Sequence, residues 1–103
     1  MYNQVVQSFQ ENPRDLHTVP LKAYKAPLWF YVFVKDGILY VTSAKNHLPS
    51  SNISGRRPLP PKQFETMLDI YHRRQNGERV SQEAAKATRC QVYWYGVFAA
   101  LGM

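Results

Sequence analysis

The fold of this chain is organised by its C-terminal half, residues 55–103, which reads GRRPLPPKQFETMLDIYHRRQNGERVSQEAAKATRCQVYWYGVFAALGM. This half begins with a basic arm. Three candidate helices follow the arm, and two short helix-breaking segments separate them. The first begins near Pro61, a residue favoured in the first helical turn, and ends at Asn76-Gly77. Ser81 is a favoured N-cap for the second helix, and the third covers residues 91–101. This half therefore predicts a basic arm followed by three helices.

The first of these helices has a clear amphipathic pattern. Phe64, Met67, Leu68 and Tyr71 recur at positions i, i+3, i+4 and i+7, which place them on one helical face. We expect all four side chains to be mostly buried.

The N-terminal half contains a strong β-hairpin signal. Residues 28–34 are aromatic and β-branched throughout, and residues 38–43 form a second β-prone run. Asp36-Gly37 lies between them, and both residues tolerate the positive φ of a tight hairpin turn. Because the first strand is apolar on both faces, we expect it to be central and covered on both sides. A short third strand is predicted at residues 21–24.

The remaining segments are a short helix and a long loop. Residues 1–10 favour a helix that Asn12-Pro13 ends, and residues 44–61 have the composition of a loop. The expected fold is α+β: an N-terminal antiparallel β-hairpin, of two or three strands, packed with a C-terminal three-helix subdomain. The 103 residues form one domain, with a hairpin-containing half (1–52) and a helical half (53–103).

Composition indicates a globular protein with many aromatic side chains. Apolar residues make up 45% of the chain and aromatic residues 14%, which argues against disorder. In so short a chain some aromatic rings should remain at the surface, where they cover a partner. We therefore expect a homodimer formed through an aromatic surface.

The charge distribution favours a polyanionic partner. The net charge is +6, and six of the eight cations in residues 53–103 are arginines, which bind phosphate in a bidentate manner. The alternative is an ordinary basic protein without such a partner. The single cysteine, Cys90, suits a reducing compartment, and residues 1–4 do not resemble a secretory signal. The longest apolar run, residues 28–34, is too short for a membrane span, so a cytoplasmic location and no membrane partner are expected.

Residues 81–101 have the outline of a helix-turn-helix. Such a unit needs a small residue where its helices cross, and Ala84-Ala85 supplies it. With the arm Gly55-Arg56-Arg57-Pro58, this part of the chain resembles the DNA-binding domains of invertases and resolvases. The resemblance implies that the arm enters the minor groove and that the third helix enters the major groove. Counting from the start of the second helix, the positions expected to pack the unit are Ala84, Thr88, Cys90, Tyr95 and Phe98.

The predicted function is that of a small basic nucleic-acid-binding protein, with DNA as the expected ligand. Phosphate contacts are expected from arginines, and limited base contacts from two polar residues at the start of the third helix. The predicted binding residues are Arg56, Arg57, Arg73, Arg74, Arg89, Gln91 and Tyr93.

An alternative follows from the apolar character of the third helix. The side chains that should face base edges include Val92, Gly96, Val97 and Ala100, which cannot hydrogen-bond a base. Arg89 also occupies the turn position that usually holds glycine. Under the alternative, this helix is buried in the core or at a dimer interface. The protein is then a small homo-oligomeric interaction or ligand-binding module.

No recognisable catalytic or metal motif is present. His17, His47 and His72 are far apart in sequence and lack metal-ligand spacing, and no phosphate-binding glycine loop occurs. We therefore expect no metal site, no cofactor and no enzymatic activity. The alternative that these residues leave is a metal-free ribonuclease using His47 or His72, together with Arg56, Arg57 and a tyrosine.

Overall fold

Four helices and four strands make up the part of the chain that the computed structural model describes, residues 1–22 and 24–103. The strands form one antiparallel sheet in the order β1-β2-β3-β4. The elements, in chain order, are α1 (Tyr2–Glu11), β1 (Arg14–His17), β2 (Trp29–Lys35), β3 (Ile38–Ser43), β4 (Arg57–Leu59), α2 (Pro61–Gln75), α3 (Ser81–Ala87) and α4 (Gln91–Ala100).

The predicted hairpin is confirmed as the centre of this sheet. Strands β2 and β3 pair antiparallel, with Lys35 opposite Ile38. The turn between them places Asp36 at φ 53° and Gly37 at φ 76°. Both residues therefore adopt the left-handed conformation for which Asp-Gly is suited. The predicted α+β class, the short N-terminal helix and the three C-terminal helices are also confirmed.

The two edge strands differ from the prediction. Leu21 and Tyr24 are exposed and belong to no strand, and Ala23 lies outside the described residues. The edge strand that pairs with β2 is β1, which precedes the strand predicted at residues 21–24. The segment predicted as a loop contributes β4, which pairs with the free edge of β3. Both edge strands are three or four residues long, and such short pairings carry little local sequence signal.

The expectation that β2 is covered on both faces is wrong. Its burial alternates: Phe30 and Val32 are fully buried, whereas Trp29, Tyr31 and Phe33 are partly exposed. Helices α1 and α4 contact the sheet, and α2 packs against α4 and α3. We call the side of the sheet that bears Phe30 and Val32 the inner face and the opposite side the outer face.

The helices do not form a separate subdomain, because they share one core with the sheet. Phe64, Met67 and Tyr71 of α2 are buried as predicted, but Leu68 is only half-buried. Ile70 takes the fourth core position, so the buried stripe is shifted from the one predicted. The free Cys90 is buried, as are the other positions expected to pack α3 and α4; this confirms the burial predicted for Ala84, Thr88, Cys90, Tyr95 and Phe98.

Helix α4 is a core helix over most of its length. Its residues 94–98 are all buried, including Trp94, whose Nε1 donates a hydrogen bond to Gln63 Oε1 at 3.1 Å. The helix approaches the sheet closely at Gly96. A Cβ atom there would lie 2.7 Å from Cζ of Phe30 and 2.9 Å from the carbonyl oxygen of His17. Gly96 therefore fixes how closely α4 packs on β1 and β2.

Helix α1 is attached to the sheet through Tyr2. Its hydroxyl donates a hydrogen bond to the carbonyl oxygen of Leu59 and accepts one from the amide of Leu39 at 3.0 Å. The hydroxyl therefore bridges β4 and β3. Burial raises the pKa of Tyr2, and the hydrogen bond from the Leu39 amide only partly offsets this.

Among the residues described, none of the helices combines the length and the apolar character that crossing a membrane requires.

Candidate nucleic-acid interface

A row of aromatic side chains occupies the outer face of the sheet. Alternation along β2 sends Trp29, Tyr31 and Phe33 to this face, and the pairing register adds Tyr40 of β3 directly opposite Phe33. All four rings are partly exposed. We call Trp29, Tyr31, Phe33 and Tyr40 the aromatic face.

Three of these rings are close together and nearly parallel. The centroids of Tyr31 and Phe33 are 6.0 Å apart, with 27° between the ring planes. Phe33 and Tyr40 are 5.7 Å apart, with 20° between their planes. The three rings lie in a row across β2 and β3, and each of them keeps part of its surface exposed. Planar groups can stack on such a surface.

Cations border the aromatic face. The ammonium of Lys45 lies 4.4 Å from the ring centroid of Tyr31, and the guanidinium of Arg56 lies 4.8 Å from that of Tyr40. Lys35 extends from the same side of β2. All three cationic side chains are exposed and remain free to reach an anion.

A cluster of two histidines and one carboxylate lies at the Trp29 end of the aromatic face. His47 stacks on the indole, with 3.9 Å between centroids and 14° between planes. His17 meets the same indole edge-on at 5.0 Å. Asp15 lies beneath His47 and its side chain is 1% exposed. We call Asp15, His17, Trp29 and His47 the histidine cluster.

The buried carboxylate of Asp15 holds the loop after β3 in place. Oδ1 accepts a hydrogen bond from the Lys45 amide at 2.9 Å, and Oδ2 accepts one from the Asn46 amide at 2.7 Å. Nδ1 of His47 lies 2.8 Å from the same Oδ2. Burial by itself would raise the pKa of Asp15, but the hydrogen bonds outweigh it and lower the pKa below its ordinary value. The carboxylate therefore stays charged.

The two adjacent arginines of the predicted arm lie on opposite sides of the sheet. Arg57 belongs to β4 and pairs with Val41 of the inner face, whereas Arg56 lies over Tyr40 on the outer face. Burial raises the pKa of the nearby Cys90 thiol, and Arg57 opposes this shift only in part. Of the two arginines, only Arg56 borders the aromatic face.

The three other predicted arginines are dispersed. Arg74 is half-buried: it donates a hydrogen bond to the Val19 carbonyl oxygen at 2.7 Å and lies over the ring of Tyr95. Arg89 is exposed between α3 and α4. Arg73 is surrounded by carboxylates, which raise its pKa further, above the usual range of arginine. Its ion-pair partners are Asp69, Glu78 and Glu83.

The two predicted base-reading residues are partly buried at the start of α4. Oε1 of Gln91 is buried and has no hydrogen-bond partner among the described residues. Tyr93 packs edge-on against Phe30 at 5.0 Å. Gly96 and Val97, on the same predicted reading face, are buried. The structure therefore does not bring Gln91 and Tyr93 together with Arg56 on one surface.

A cleft of about 530 Å³ lies between α4 and the chain at residues 18–22 and 25–28. Arg74, Tyr93 and Tyr95 contribute to its lining together with apolar side chains of the loop. Across the described ranges 1–22 and 24–103, no group of three or more His, Cys, Asp or Glu side chains is arranged to hold a metal ion.

The sequence predicted an exposed aromatic surface but did not locate it on β2 and β3, although the signal for its position was present. Trp29, Tyr31 and Phe33 occur at every second position of a predicted strand, which places them on one face. The histidine cluster had no comparable signal, because about 30 residues separate His17 from His47. Only the register of β1 on β2 and the position of the loop after β3 bring them together.

Comparison of the chain with protein-family models, with curated proteins and with solved structures found no significant match.

Proposed function

We propose that this protein binds single-stranded nucleic acid on its aromatic face. The observation that carries the proposal is the surface of three nearly parallel rings, Tyr31, Phe33 and Tyr40, bordered by Lys45 and Arg56. Unpaired bases stack on exposed aromatic rings, and nearby cations contact the phosphates.

The cations that lie over the rings do not prevent stacking. An exposed cation–π contact is worth about 0.5–1 kcal/mol, whereas a stacked base contributes about 1–3 kcal/mol. A base can therefore displace the Lys45 ammonium from Tyr31, and the released ammonium can move to a phosphate. A base can displace the Arg56 guanidinium from Tyr40 in the same way, so each ring and its cation together suit one nucleotide.

A single strand fits this protein better than a duplex. The bases of a duplex are stacked on one another, so the flat rings of an open sheet cannot contact their faces. Duplex recognition by α4 would need that helix in the major groove, but its residues 94–98 are buried. The aromatic face is an accessible surface on which aromatic rings and cations occur together.

The binding measurement uses labelled single-stranded RNA and DNA oligomers, with duplexes of the same sequences for comparison. We expect both single strands to bind more tightly than the duplexes in fluorescence anisotropy. Replacing Phe33 by Ala should weaken binding of every single strand. The matched control is Tyr24→Ala, because Tyr24 is an aromatic residue that is 80% exposed and outside the sheet.

The cations are tested through the salt dependence of binding. Each phosphate contact on a single strand contributes about 0.7 to the slope of log K against log salt. The double variant Lys45→Gln/Arg56→Gln should therefore flatten the slope by about 1.4. Arg79→Gln is the matched control, because Arg79 is exposed in the segment between α2 and α3. Equal effects of these two variants, or tighter binding of duplex than of single strands, would refute the proposal.

Self-association is the second candidate for the same surface. Ile38 and Pro58 extend the outer face with apolar surface beside Tyr40. A stable homodimer would bury roughly 1,000 Å² per copy, out of a total surface of 6436 Å². Two copies facing each other would bring Lys35, Lys45 and Arg56 against their like-charged equivalents, and this favours a polyanion over a second copy. Light scattering without nucleic acid decides between them, since a 12.0 kDa species supports the first candidate.

A further inference from the structure

The histidine cluster presents two imidazoles whose proton positions are fixed by their neighbours. Nδ1 of His47 faces Asp15 Oδ2 at 2.8 Å, and Nδ1 of His17 faces the Thr18 carbonyl oxygen at 3.0 Å. A carboxylate and a carbonyl oxygen only accept hydrogen bonds, so Nδ1 is the donor in both rings. Each neutral ring therefore carries a lone pair on Nε2, and each protonated ring carries an acidic proton there.

Both Nε2 atoms remain available for proton transfer. No described residue hydrogen-bonds Nε2 of either ring, His17 is exposed, and the His47 side chain is 46% exposed. The two imidazole centroids both lie within 5.0 Å of the Trp29 indole centroid. Both imidazoles therefore contact the Trp29 indole, two residues along β2 from Tyr31, at the end of the aromatic face that the proposed strand would cross.

Asp15 orients one of these rings. Its two amide hydrogen bonds fix the carboxylate relative to the loop, and the bond to Nδ1 fixes the rotation and the tautomer of His47. A charged carboxylate in this position also stabilises the imidazolium that forms when Nε2 takes up a proton. Asp15 is therefore a positioning residue.

We propose that His17 and His47 form a catalytic site that cleaves the RNA bound on the aromatic face. The inference rests on the proposed function, because the aromatic face must first hold the strand. Nε2 of His47 removes the proton from a ribose 2′-hydroxyl, and the 2′-oxygen attacks the adjacent phosphorus. The bond from phosphorus to the 5′-oxygen breaks, and the His17 imidazolium donates its proton to that oxygen.

The products are a 2′,3′-cyclic phosphate and a free 5′-hydroxyl. The step is balanced, because one proton is taken by His47 and one is given by His17, and no water molecule or redox partner is consumed. Exchange with solvent then restores both protonation states. Imidazoles are suited to this exchange near neutral pH. DNA lacks the 2′-hydroxyl, so it should bind without being cleaved.

The experiment measures binding and cleavage on the same oligomers. An RNA of about ten nucleotides, within the usual site sizes of such faces, is compared with the same sequence as DNA. A third oligomer carries a single deoxyribose at the cleaved position. We expect cleavage of the RNA with a 2′,3′-cyclic phosphate end, no cleavage of the DNA, and protection of the single modified linkage.

Variants assign the activity to the cluster. His17→Ala and His47→Ala should each reduce the cleavage rate by about 10²- to 10⁴-fold while changing the dissociation constant only slightly. Asp15→Asn should also shift the pH dependence of the rate, which loss of a purely structural contact would not do. The control is His72→Ala, because His72 lies at the end of α2, where its Nε2 donates to the Met103 carbonyl oxygen.

Each outcome has a defined meaning. Binding without cleavage overturns the catalytic inference and leaves the proposed function standing, whereas absence of both overturns both. Cleavage that persists in His17→Ala and His47→Ala, or that extends to DNA or the modified linkage, also overturns the inference. Thermal unfolding of each variant identifies any loss of fold, and the modified oligomer tests the mechanism on the unaltered protein.

Discussion

Replacing Gly96 by Ala should destabilise the protein, although glycine is unfavourable inside a helix. In α4 the substitution gains about 0.8–1.0 kcal/mol of helix propensity. The new Cβ atom, however, would lie 2.7 Å from Cζ of Phe30 and 2.9 Å from the carbonyl oxygen of His17. Phe30 is fully buried and packs against Tyr93, so its ring has little room to move. The other contact is to backbone, which cannot rotate away.

The balance of the two effects gives the expected magnitude. Overpacking a well-packed core costs about 1–3 kcal/mol, and two contacts below 3.0 Å place this site toward the upper end. After the gain in propensity, the net loss is about 1–2 kcal/mol. For a domain of this size, that lowers Tm by about 4–16 °C. Thermal and urea unfolding followed by circular dichroism measure it.

Two further variants separate the contributions. Ala100→Gly, at an exposed position of the same helix, measures helix propensity without the contact. In a Phe30→Leu background the ring atom nearest to the new Cβ is removed, so Gly96→Ala should cost less there than in the wild type. A higher Tm for Gly96→Ala would contradict the close packing of α4 on Phe30, because a gain in stability is the result expected when this face of α4 is exposed.

Four other substitutions test the core and the histidine cluster. Tyr2→Phe should cost about 1–3 kcal/mol in urea unfolding, because it leaves two buried backbone groups without their shared partner; unchanged stability would show that the hydroxyl does not bridge the strands. Met67→Ala should cost about 2–5 kcal/mol and half-buried Leu68→Ala clearly less, so equal losses would contradict the shifted stripe. The folded-state pKa of Asp15 is lowered, so its charge stabilises the fold above the unfolded-state pKa of about 4. The unfolding free energy of wild type should exceed that of Asp15→Asn at neutral pH, and the difference should disappear as pH falls through the folded-state pKa; a difference independent of pH would refute this.

The hairpin and the helices were predictable because their signals are local. Asp36-Gly37 needs only its own backbone conformation to form a turn, and Pro61 marks a helix start through its fixed φ. The shift from Leu68 to Ile70 was not predictable in the same way. Both lie near the edge of the apolar stripe, and the direction of α4 relative to α2 decides which of them is covered.

The exposed outer face of the sheet could not be predicted, because the sequence pattern of β2 does not show which of its faces the helices cover. A strand that is apolar on both faces predicts two covered faces, but all the contacts that the described helices make with the sheet leave Tyr31 and Phe33 partly exposed. The order of the strands also decides which residues become neighbours. Arg56 reaches Tyr40 only because β4 pairs with β3.

Strand β2 divides stability and proposed function between its two faces. On the inner face, α4 packs so closely on Phe30 that a Cβ atom at position 96 would lie 2.7 Å from its ring, and this packing supports the strand. On the outer face, Tyr31 and Phe33 are only partly covered, so they contribute less burial to folding than their size allows. An aromatic surface that stays exposed after folding is typical of a site that a ligand covers. The apolar third helix, to which the helix-turn-helix interpretation assigned DNA contacts, packs on β1 and on Phe30 of β2 at the inner face, behind the surface on which the proposed site lies.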